Sequence, residues 1–79
     1  MRREDIFKKV SIIFQEVLED DELVISEDQN ADDIDEWDSL IHIMLVVETE
    51  KSFGLKFLSS EISNWKNIGE MITAIQAKL

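Results

Sequence analysis

Seventy-nine residues carry eighteen acidic and eight basic side chains, a formal net charge of −10, with 44% hydrophobic residues and no cysteine. A chain this short forms one domain with a small core, burying only about 60% of its unfolded surface, and its apolar content argues against disorder. The acidity opposes binding to phosphate backbones and favours partners with basic patches. The lack of cysteine excludes disulfides and thiolate chemistry, and a single histidine, His42, excludes a multi-histidine metal centre.

In chain order, residues 3–18 read as an amphipathic helix. Ile6, Phe7, Val10, Ile13, Phe14, Val17 and Leu18 recur at three- and four-residue spacing and share one face. Glu4 and Asp5 suit its positive end. Basic residues at the N-terminus are followed by this charged helix rather than by the continuous apolar stretch of a signal peptide.

The stretch from Glu19 to Asp38 is polar, its only strongly apolar residues being Leu23, Val24, Ile25, Ile34 and Trp37. A connection of that length in a small domain is uncommon and usually functional. Leu23, Ile25 and Ile34 are expected to pin it across the bundle.

A second helix is expected over residues 39–52, opened by Asp38 and Ser39, whose side-chain oxygens can accept orphan backbone N–H groups. Gly54 supplies its stop. Ser59 to Trp65 reads as one short helical turn capped by Ser59 or Ser60. Asn67 caps a last helix over residues 68–78, with Ile68, Met71, Ile72 and Ile75 inward, and Gly69 is a weak point near its start. With no proline, repeat or convincing strand pattern, the fold class is all-α: a small four-helix bundle of three main helices and one short one, with a long first loop. The expected core comprises Phe7, Val10, Phe14, Val17, Leu40, Leu45, Val46, Phe53, Ile62, Ile68 and Ile72.

The second helix is apolar almost all round. Leu40, Ile41, Ile43, Met44, Leu45, Val46 and Val47 leave only His42 polar in its first half. A small domain cannot bury every side of one helix, so part of this surface is either left for a partner or absorbed as central core. Ile41, Met44 and Val47, with Glu48, are the candidate docking residues. The longest apolar run, Ile43 to Val47, is too short to span a membrane, and a cytoplasmic monomer is expected.

Glu36-Trp37-Asp38-Ser39-Leu40 sits where the loop meets this helix. A serine at a helix N-terminus projects toward solvent among backbone N–H donors, where an attached phosphate is favoured. Leu40 is expected to turn inward and hold the serine in register. Asp38 can cap the helix or help position a metal-bound donor during modification, and the tripeptide taken alone is also an ordinary cap.

Asp38-Ser39-Leu40, the apolar helix after it, and Glu48-Thr49-Glu50-Lys51-Ser52-Phe53-Gly54 at its end resemble the acyl carrier protein family. The order of elements and the long loop agree, so the resemblance spans essentially the whole chain. It implies a four-helix bundle, not itself an enzyme, with Ser39 as the attachment site for 4'-phosphopantetheine, flanked by Asp38 and Leu40. The arm would be donated from coenzyme A by a phosphopantetheinyl transferase. Its thiol would carry an acyl or aminoacyl group supplied by a loading ligase and used by synthase or transferase enzymes with basic docking patches. Two departures stand out: Trp37 occupies a position that is small in fatty-acid carriers, and the exposed face of the second helix is less acidic. The Trp-Asp-Ser-Leu-x-His pattern looks more like stand-alone carriers of specialised pathways. His42, three residues after Ser39, is either a phosphate contact as a charged imidazole or a solvated surface histidine.

Other readings are less well supplied with residues. A serine hydrolase needs a base, an orienting acid and an oxyanion hole, and no glycine-flanked elbow surrounds Ser39. Asp28-Gln29-Asn30-Ala31-Asp32 begins like a calcium loop, but Asp33 stands where glycine is needed and Ser39 where a bidentate glutamate is needed. An aminoacyl or peptidyl carrier, and an acidic helical adaptor that is never modified, share the same patterning.

Overall fold

The three- and four-residue recurrence of Ile6, Val10, Ile13 and Phe14 winds them into one buried face, and that face organises the fold. In the computed structural model, which describes residues 1–79, they lie on α1 (Arg3–Val17). The other helices are α2 (Ser39–Phe53), α3 (Ser59–Asn64) and α4 (Ile68–Lys78). No strand is present, and α1 packs against both α2 and α4.

The loop between α1 and α2 begins where Glu19 takes a left-handed conformation at φ 54°, which turns the chain out of the helix. Ile25 and Ile34 are buried and Leu23 is partly buried against them, so the expected anchors do hold the loop to the bundle. A short 3-10 turn, Ala31–Asp33, interrupts it. The Asn30 side chain accepts from the Asp32 N–H, while Asp33 accepts from the Asn30 N–H, a reciprocal pair that closes the turn.

The loop also finishes α4. Asn67 caps that helix by accepting from the Glu70 N–H at 2.9 Å, and the N–H groups of Ile68 and Gly69 donate to the carbonyls of Gln29 and Glu27. Donors that a helix start leaves without partners are thereby satisfied by the opposite segment. Gly69 is therefore not a weak point: it is buried, and its lack of a side chain lets the loop backbone approach. Arg3 ties the same corner, donating to the Glu27 carboxylate at 2.6 Å, to the Gly69 carbonyl at 2.9 Å and to Thr73 at 3.0 Å.

α3 is capped differently from expectation. Its N-cap is Leu58, which has no side-chain acceptor, and Glu61 instead reaches back to the Leu58 N–H at 2.9 Å. Lys78 of α4 pairs with the same carboxylate at 3.0 Å.

Of the expected core, Val10, Phe14, Leu45, Val46, Ile68 and Ile72 are buried, while Phe7, Val17, Phe53 and Ile62 are partly covered. Ile6, Ile13, Ile25, Ile34, Met71 and Ile75 complete the interior. Each fully buried aliphatic side chain contributes about 1.5–3 kcal/mol. Leu40 is the exception, at 66% exposed.

Candidate functional site

Asp38 has extended backbone, and its carboxylate accepts the Ile41 N–H at 2.9 Å, while its carbonyl accepts the His42 N–H at 2.9 Å. It is the N-cap of α2. Of the two roles open in the sequence, the capping role is the one the geometry shows.

Ser39 is the first residue of α2 and is exposed. Its hydroxyl has no hydrogen-bond partner in the chain, and its own N–H and that of Leu40 have no acceptor. The positive end of the α2 dipole and two free amides thus lie beside a free hydroxyl, an arrangement that favours a negatively charged substituent. Ala31, Trp37, Asp38, His42 and Ile43 border the open groove at this serine.

Leu40 does not turn inward. It lies on the same stripe as Met44 and Val47, four and seven residues on, and all three are exposed, as is Ile43. Ile41 takes the inward place instead: it is half-buried against the core, one turn before the buried Leu45. Successive helical residues point about 100° apart, so exchanging neighbours exchanges faces. The core expectation for Leu40 and the docking expectation for Ile41 are both corrected. The recurrence of Leu40, Met44 and Val47 was a usable signal, masked by an apolar residue at nearly every neighbouring position. Glu48 is half-buried at the edge of this stripe, lining the crevice toward Lys9, Ile12 and Glu16 of α1, with Lys51 at 3.9 Å.

His42 is also not a solvated surface residue. It is half-buried, and its Nδ1 accepts the indole N–H of Trp37 at 3.1 Å. The two rings are nearly parallel, inclined by 23° with centroids 5.9 Å apart, and meet through this hydrogen bond. Trp37 meets Phe14 edge-on at 5.2 Å, and Trp65, just after α3, meets His42 edge-on at 6.1 Å. Trp65 was not singled out in the sequence because nothing local couples position 65 to position 42. With Nδ1 accepting from Trp37, Nε2 is the ring nitrogen left free for another partner.

Eleven of the eighteen acidic residues lie between Glu19 and Asp38, a span without a lysine or arginine. The calcium-loop resemblance does not become a site: no group of three or more carboxylate or imidazole side chains is placed to hold a metal ion. No helix is long and apolar enough to cross a membrane.

No family model matches the chain. It is, however, 34% identical over 77 residues to an acyl carrier protein of Thermotoga maritima, an alignment covering 98% of this chain and 95% of that one. The solution structure of a holo acyl carrier protein from Geobacter metallireducens superimposes with a TM-score of 0.86, at 34% identity, covering 92% of this chain and 84% of that one. Near-complete coverage in sequence and the same helical architecture in space agree with what the residues from Asp38 to Gly54 imply. The chain belongs to the acyl carrier protein family, whose members are carriers rather than enzymes.

Proposed function

We propose that Ser39 carries 4'-phosphopantetheine and that the thiol of this arm holds acyl intermediates as thioesters for partner enzymes of a specialised biosynthetic pathway. The observation that carries this reading is the free, exposed hydroxyl of Ser39 at the capped start of α2, beside two amides without acceptors. A phosphodiester formed there gains hydrogen-bond donors and the favourable end of the helix dipole. The residues present fit the group: Asp38 holds the helix start in shape, and the groove past Ala31 and Ile43 gives the arm an apolar exit. The Geobacter metallireducens protein, a holo acyl carrier protein, supports the same chemistry by analogy.

Partners follow from the surface around the serine. A phosphopantetheinyl transferase, a loading ligase and synthase or transferase enzymes must each reach Ser39. Leu40, Ile43, Met44 and Val47 form an exposed apolar stripe beside it, and the acidic loop leads directly into it. A partner with an apolar cleft rimmed by basic residues complements that surface, and opposite charge speeds the encounter. A cytoplasmic location belongs to the same reading, as does the specialised pathway, which rests on the Trp37 and His42 pattern.

The test is intact-protein mass spectrometry after incubation with coenzyme A and a broad-specificity transferase. A carrier gains the mass of one arm, mapped to Ser39, and a Ser39→Ala variant gains none while keeping its helical circular dichroism. An unmodified wild-type protein would establish the adaptor instead.

A further inference from the structure

Beside Ser39 the backbone offers two free donors, its own N–H and that of Leu40, while the side chains around it are largely committed. The Asp38 carboxylate accepts from the Ile41 N–H and has no proton to give, and the Trp37 N–H is donated to His42. His42 is different. Its Nδ1 faces the Trp37 N–H, an arrangement that in a neutral ring puts the one proton at Nε2. The Trp37 hydrogen bond holds one edge of the ring, and Trp65 packs against it at 6.1 Å between centroids. His42 and Ser39 line the same groove three residues apart on α2, a spacing that puts their Cβ atoms about 5–6 Å from each other. A phosphate on the Ser39 oxygen extends the serine into that interval.

We propose that the Nε2–H of His42 donates a hydrogen bond to the phosphodiester on Ser39, and that Trp37 is a positioning residue that holds the imidazole in this tautomer. The proposal rests on Ser39 being the attachment site. It also accounts for Trp37 chemically: Asp38 places one negative charge beside the phosphate, and a neutral, pre-oriented donor offsets part of the repulsion without the desolvation that a buried cation incurs. The arm's first anionic group is thereby held against α2, and the thiol end is left free to travel.

The experiment uses the full chain, before and after loading. Long-range 1H–15N spectra of the imidazole at neutral pH report the tautomer in the unmodified protein, and the Nε2–H form is expected. After loading, the Nε2 resonance should move and the phosphorus resonance of the arm should differ between wild type and His42→Phe. Trp37→Phe keeps a ring but loses the donor, so the tautomers should mix and the phosphorus resonance should shift partway toward that of H42F. His42→Gln, which retains an N–H, should restore part of the wild-type shift. An Nδ1–H tautomer in the unmodified wild type overturns the inference, as does a phosphorus resonance identical in loaded wild type, W37F and H42F. Failure of the wild type to gain the arm at all overturns the carrier reading itself, so the two failures are distinguishable.

Discussion

The N–H of Gly69 donates to the carbonyl of Glu27 over 2.8 Å, so the start of α4 is completed by the loop that precedes α2. Through this bond the long acidic segment is part of the folded framework. The position of Ser39 depends on that framework, because Ile34 and Trp37 of the same segment deliver the chain to the start of α2.

Gly69→Ala should lower stability, against the usual gain from alanine in a helix. A Cβ there would lie 3.1 Å from the Glu27 carbonyl and 3.2 Å from its Oε1. The nearest obstacle is backbone, so the loop must move. The expected loss is about 1 kcal/mol, the scale of a lost buried hydrogen bond. Urea titration followed by circular dichroism measures it, and a variant more stable than wild type would show that the loop yields freely.

Leu40 and Leu45 should respond in opposite ways to truncation. Leu45 is buried, so Leu45→Ala should cost about 2–5 kcal/mol. Leu40 is exposed, so Leu40→Ala should stay within about 0.5 kcal/mol of wild type. Leu40→Lys and Met44→Lys should preserve the melting temperature yet slow loading by the transferase, read from the time course of mass gain.

Asp38→Ala removes the α2 cap and should cost about 1 kcal/mol. Asp38→Asn retains a capping oxygen and should melt close to wild type. If the carboxylate also assists modification, D38N will load slowly although folded. Equal loading rates for D38N and wild type would confine Asp38 to capping.

Glu61 should make part of the stability acid-sensitive. Its carboxyl is held below the usual value, first by the Leu58 N–H it accepts and then by the Lys78 ammonium. A group whose folded pKa lies below its unfolded one stabilises fully above the unfolded value, here 4.5. That contribution is lost as pH falls through the lower folded value. Thermal melts from pH 7 down to pH 3 should therefore show a smaller acid-induced fall for Glu61→Gln than for wild type. Identical profiles would count against the pairing.

The arrangement of helices was readable because their periodicity is local. Ile6, Val10 and Phe14 mark the buried face of α1, and Asp38, Gly54 and Asn67 mark helix ends, since caps and stops act within a few residues. Gly54 does take the left-handed conformation its position asks for, at φ 65°. The position of Ser39 at the start of α2 was legible for the same reason. The orientation of α2 was not, because a helix with apolar residues almost all round has no preferred face until neighbours are supplied.

By itself, then, the sequence determined four helices, the caps of α2 and α4, the serine between cap and apolar helix, and the family to which that pattern points. The tertiary structure alone decided that Ile41 turns inward while Leu40 faces out, that Gly69 receives the Glu27 carbonyl, and that Trp37 and Trp65 enclose His42. The physical reason is distance along the chain. Capping and periodicity are set by residues three or four apart, whereas these contacts join segments whose approach depends on how α1 packs against both α2 and α4.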